Sequence, residues 1–119
     1  MEWKNKGNTS YKAKKFDEAI QNYDKAIECD PEDTLFVTNK AAVYLEMGEL
    51  EKCLELCESV IEKSKEGYYD YKKLSKAWAR KGAALARQNK FDEAVEAYEK
   101  AMVEFNDYSY KMAKKDVLK

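Results

Sequence analysis

The chain has 119 residues, 38% of them charged and 13% aromatic, with 22 Lys and Arg against 23 Asp and Glu for a net charge of −1. That length suffices for one domain with a continuous core. The even charge balance argues against a dedicated nucleic-acid or membrane-surface binder, which carries a basic excess. Histidine is absent, which removes Ser-His and Cys-His nucleophile pairs and imidazole metal ligands. The longest apolar run, Ala41 to Leu45, is too short to cross a bilayer. No secretory signal pattern is present, so a soluble, cytoplasmic protein is expected.

One proline and four glycines leave few helix breakers, and apolar residues recur at spacings of three and four. An all-α chain is therefore expected. A first helix is predicted near Glu2–Lys14. The second holds Phe16-Asp17-Glu18-Ala19-Ile20 and then Tyr23-Asp24-Lys25-Ala26-Ile27. It stops at Asp30-Pro31, because the residue before proline disfavours helix. A third helix is predicted over Asp33–Met47. In the fourth, Leu50, Cys53, Cys57 and Val60 follow Phe16, Ala19, Tyr23 and Ala26 by 34 residues each. About seven extra residues fall near Lys63 to Asp70, where Tyr68, Tyr69 and Tyr71 cluster, before a fifth helix near Tyr69–Gln88. Then Phe91-Asp92-Glu93-Ala94-Val95 and Tyr98-Glu99-Lys100-Ala101-Met102 return the second helix after 75 residues. A short last helix is expected from Tyr108 to Lys119.

Such self-similarity marks a stacked-repeat protein. Small residues recur at equivalent points, Gly7, Ala41 and Gly82, where paired helices must approach to roughly 8–10 Å. Between paired helices stand Lys14, Gly48 and Asn89, and Gly and Asn tolerate the left-handed conformation that ends a helix. Cys29, Cys53 and Cys57 read as free thiols of a reducing compartment. Cys53 and Cys57, one helical turn apart, read as core residues, since two thiolates do not complete a metal site.

A 34-residue helix-turn-helix unit with this spacing resembles the tetratricopeptide repeat (TPR) family over essentially the whole chain. Trp3, Gly7, Phe16, Ala19, Tyr23, Ala26 and Pro31 stand at the signature places, while Lys6 and Ser10 depart from the usual leucine and tyrosine. The resemblance implies a single domain, 1–119, with units at about 1–33, 34–67 and 75–108 and a capping helix at about 108–119. It implies a right-handed α-solenoid whose first helices line a concave groove. The groove faces then read Lys4 and Asn8, Asn39, and Lys76 and Arg80. The paired residues are four apart and share a face. Fixed cations beside two amides suit an anionic acceptor, above all the C-terminal carboxylate of a chain.

These five residues resemble the two-carboxylate clamp of chaperone-binding TPR domains, whose ligand is a heat-shock chaperone tail ending Glu-Glu-Val-Asp. The match implies that Lys4, Asn8 and Asn39 take the terminal main-chain carboxylate, Lys76 the last aspartate side chain, and that Arg80 braces the peptide. The runs from Thr38 to Glu46, from Glu51 to Glu58 and around Ser75-Lys76-Ala77-Trp78-Ala79-Arg80 are similar to the central TPR domain of co-chaperones that bridge heat shock proteins 70 and 90. The implied partner is the C-terminal peptide of heat shock protein 90, with the heat shock protein 70 tail, or another surface used as a protein scaffold, as alternatives. Tyr11 and Glu46 match residues that contact the upstream peptide. Leu35 replaces a polar one, and Ala42 and Leu45 are expected to form a pocket for the valine. Trp3 and Trp78 are expected to pack between helices. No nucleophile-base pair is present, so no catalysis, cofactor or metal is expected, and the domain is expected to be monomeric.

Overall fold

Apolar residues spaced three and four apart fold as six α-helices, with no strand among the described residues: 15–31, 33–66, 70–105 and 108–118 of a computed structural model. The helices are α1 (Phe16–Cys29), α2 (Thr34–Met47), α3 (Leu50–Ser64), α4 (Tyr71–Arg87), α5 (Phe91–Glu104) and α6 (Tyr108–Leu118). The predicted helix near Glu2–Lys14 lies outside the described residues.

Two kinds of local chemistry divide the chain. Turns inside helix pairs use positive φ. Gly48 has φ 82° and Asn89 has φ 64°. After each, the next amide reaches back five residues, Glu49 to the Tyr44 carbonyl at 2.9 Å and Lys90 to the Leu85 carbonyl at 2.9 Å. These bonds occupy carbonyls that the helix ends would otherwise leave without donors. Joints between pairs use aspartate caps instead. Asp33 Oδ1 accepts from the Leu35 amide at 2.9 Å, and Asp70 Oδ1 accepts from Lys72 and Lys73 at 2.9 and 3.3 Å. Each cap contributes about 1 kcal/mol to its helix. At 17 residues α4 is longer than α2 at 14, so part of the expected insertion lengthens this helix. Residues 67–69, with Tyr68 and Tyr69, lie outside the described set.

The core is built from small side chains that let helices close on one another. Ala19, Ala41, Ala77, Ala84, Ala94 and Ala101 are fully buried. Tyr23 packs with Ala19 and Val43 between α1 and α2. Cys53 and Cys57 are fully buried with Ala41, Leu45 and Ala84, where α2, α3 and α4 meet. Cys57 is held well above the ordinary thiol range by its hydrogen bond to Cys53 and by burial. Cys29 is exposed, and all three thiols are free. Among the described residues no cluster of His, Cys, Asp or Glu could hold a metal ion. At the far end, Tyr110, Ala113 and Val117 of α6 cover Ala79, Tyr98 and Ala101.

Candidate functional site

The fifth predicted helix carries the densest positive charge, and α4 disposes of those charges unequally. Lys73 Nζ bonds Asp33 Oδ1 at 2.8 Å across to α2. Lys81 pairs with Glu58 of α3 and lies 4.9 Å from the centre of the Trp78 ring. Lys72 lies 5.4 Å from the Phe105 ring. Lys76 and Arg80 are different. Neither has an ion-pair partner among the described residues. Lys76 is exposed, Arg80 is half-buried, and Arg80 Nε is a buried nitrogen with no acceptor among those residues. A buried donor without an acceptor costs about 1–3 kcal/mol, so this guanidinium is suited to an incoming anion.

Arg80 also lies near titratable groups of two neighbouring helices. Burial pushes the Tyr98 phenol on α5 up from its ordinary value, and the charges of Arg80 and Arg87 oppose that rise. On α3, Arg80 acts on Cys57 in the same sense. The guanidinium thus lies close to both α3 and α5, four residues along one helix face from Lys76.

On α2, Leu35, Asn39, Ala42 and Glu46 follow at steps of four, three and four and share one face. Leu35 and Asn39 are half-buried, Ala42 is 5% exposed and Glu46 is exposed. The Asn39 amide makes no side-chain hydrogen bond among the described residues. Leu45 packs in the core cluster with Ala41, Cys53, Cys57 and Ala84, and its carbonyl accepts from Arg87 Nη1 at 2.6 Å. Of the clamp candidates, Asn39, Lys76 and Arg80 therefore lie on two packed helices, α2 and α4. Lys4, Asn8 and Tyr11 lie outside the described residues.

Sequence reasoning did not find the contacts that join these two helices, Lys73 to Asp33 and Arg87 to the Leu45 carbonyl. The available signal was their separation of 40 and 42 residues, one on each side of the 41-residue repeat step. It also missed a pocket of about 370 Å³ on the other side of α4, floored by Leu54, Trp78, Leu85 and Ala97. There the ammonium groups of Lys81 and Lys100 lie 4.9 and 4.8 Å from the Trp78 ring centre. Trp78 itself packs against three core clusters, as expected of an interhelical residue.

Comparison with known proteins agrees with the helical-repeat fold. Two family models described as tetratricopeptide repeat match residues 1–33 and 32–102. The chain is 48% identical over 102 residues to Hsp70-Hsp90 organizing protein 1 of Glycine max, covering 82% of this chain and 18% of that protein. It thus spans about a fifth of the length of the plant relatives it matches. Among solved structures, the TPR2AB-domain:pHSP90-complex of yeast Sti1 superposes with a TM-score of 0.90 at 33% identity, over 98% of this chain and 45% of that one. The second TPR domain of human RPAP3, in complex with the HSP70 peptide SGPTIEEVD, superposes with a TM-score of 0.80 at 26% identity, over 98% and 92% of the two chains.

Proposed function

Because the chain belongs to the tetratricopeptide repeat family, we propose that it is a co-chaperone module, a single domain over 1–119, that captures the C-terminal tail of a heat-shock chaperone and performs no catalysis. Lys4, Asn8 and Asn39 receive the terminal main-chain carboxylate, Lys76 the last aspartate side chain, and Arg80 braces the peptide beside it. One observation carries this reading: carboxylates and an aromatic ring of neighbouring elements engage Lys72, Lys73 and Lys81 of α4, while Lys76 and Arg80 have no counter-ion among the described residues. Selection of the heat shock protein 90 tail is supported by the resemblance to central co-chaperone domains and by the peptide in the yeast structure. Free thiols fit a cytoplasmic location.

Charge-assisted hydrogen bonds contribute about 1.5–3 kcal/mol each. Ordering a flexible tail opposes them, so the expected affinity is on the order of micromolar. Calorimetric titration with a peptide ending Met-Glu-Glu-Val-Asp tests the reading. Amidating its C-terminus should remove most of the binding, and an amidated peptide that binds as well as the free acid would refute the clamp. A parallel titration with Ile-Glu-Glu-Val-Asp decides between the two chaperone tails.

A further inference from the structure

α2 and α4 are joined by a polar contact at each end. At their N-terminal ends, Lys73 Nζ holds Asp33 Oδ1 at 2.8 Å, with the two side chains 30% and 23% exposed. At their C-terminal ends, Arg87 Nη1 donates to the Leu45 carbonyl at 2.6 Å. N-end meets N-end and C-end meets C-end, so the helices run the same way. Asn39 lies six residues from Asp33 and six from Leu45, and Lys76 and Arg80 fall between Lys73 and Arg87. At 1.5 Å per residue the contacts on α4 stand about 21 Å apart, bracketing every described residue of the clamp.

Resting on the function proposed above, we infer that Asp33–Lys73 is a positioning brace: it touches no ligand but sets the spacing between the amide on α2 and the cations on α4. Both contacts favour their helix ends. Asp33 adds negative charge at the start of α2, and the Arg87 cation meets one of its last carbonyls. The apolar contacts between the two helices are non-directional, so they restrict sliding and splaying less than polar contacts do. Directional contacts at both ends restrict those motions. Preorganisation of this kind raises affinity by removing an ordering cost before the ligand arrives.

Charge alone and the brace predict opposite signs for one substitution. Asp33→Asn keeps the capping oxygen, since Asn caps as well as Asp, and removes the charge. Loss of a carboxylate from a protein that binds an acidic peptide should, on charge alone, tighten binding. The brace predicts weakening by about three- to fivefold, the scale of a partly exposed ion pair, with only a small fall in melting temperature. Lys73→Gln should weaken binding to a similar degree, and the double substitution should cost no more than the larger single one. Unchanged or tighter binding in Asp33→Asn would overturn the brace. So would a Lys73→Gln penalty that persists in full when Asp33 is already Asn, because Lys73 would then act on the peptide directly. A ligand-free arm keeps the brace separate from the proposed function. Amide relaxation dispersion should show millisecond exchange along α2 and α4 in Asp33→Asn and none in the parent; equal profiles would refute the brace even if no chaperone peptide binds.

Discussion

Gly82 of α4 lies against the ring of Tyr98 on α5, so close that a Cβ placed on it would come within 3.0 Å of Tyr98 Cε2 and 3.1 Å of Cζ. Tyr98 is 7% exposed and held by Ala79 and Ala101, with Tyr110 of α6 behind it, so the ring has little room to withdraw. Gly82→Ala should gain about 1 kcal/mol in helix propensity. Overpacking costs about 1–3 kcal/mol in a site of this kind. The net expectation is a loss of roughly 1 kcal/mol in urea denaturation. A variant more stable than the parent would show that the pair of helices is looser than the contact implies.

The same relationship separates what a sequence can disclose from what it cannot. Gly82, Gly48 and Asn89 are legible because each answers a local demand, a close approach or a positive φ, at a fixed place in the repeat. Cys53 and Cys57 are legible as core because their spacing of four puts both on one buried face. The groove is harder. Ala41, Ala42, Val43 and Leu45 are all 7% exposed or less, since α2 is packed by α1, α3 and α4. With so many sides covered, apolar periodicity does not separate a residue facing the groove from one facing the core, and Leu45 takes the core. Lys73 and Asp33 are less legible still, because their pairing depends on how two helices of different repeats lie side by side.

Burial orders the reactivity of the thiols. Cys29 is exposed, whereas Cys53 and Cys57 have no exposed surface. A neutral thiol reagent added to the folded protein should modify one cysteine rapidly, and the other two only with added denaturant. Mass spectrometry after a brief pulse would read this directly. Rapid double or triple labelling would mean that the α3 interface opens far more readily than its packing suggests.

Alkaline pH should weaken the fold. Burial raises the Tyr98 phenol above its ordinary value of 10.0, whereas the hydrogen bond between Cys53 and Cys57 moves those two thiols in opposite directions. A group whose value is raised in the folded state gives stability that is complete below the unfolded value and lost as pH rises past it. Urea midpoints should therefore fall above about pH 10, a fall that Tyr98→Phe removes in part. If Tyr98→Phe leaves the whole profile above pH 10 unaltered, the phenol is not the group being titrated. Peptide affinity should show no receptor histidine transition near pH 6–7, because the chain contains no histidine.

Lysines on opposite sides of α4 should respond differently to the same substitution. Lys76 is exposed without a counter-ion among the described residues, while Lys81 is committed to Glu58 and the Trp78 ring. Lys76→Ala should weaken binding of the Met-Glu-Glu-Val-Asp peptide by about 1.5–3 kcal/mol, or ten- to a hundredfold, and Arg80→Ala by a comparable amount. Lys81→Ala removes the same charge and should alter the affinity less than twofold. It acts instead on stability, by about 1 kcal/mol or less, through its ion pair and ring contact. Raising salt should weaken the parent's binding and weaken that of Lys76→Ala less steeply, since one screened charge is already gone. Equal losses for Lys76→Ala and Lys81→Ala would mean that the peptide responds to overall charge rather than to a clamp on one face of the helix.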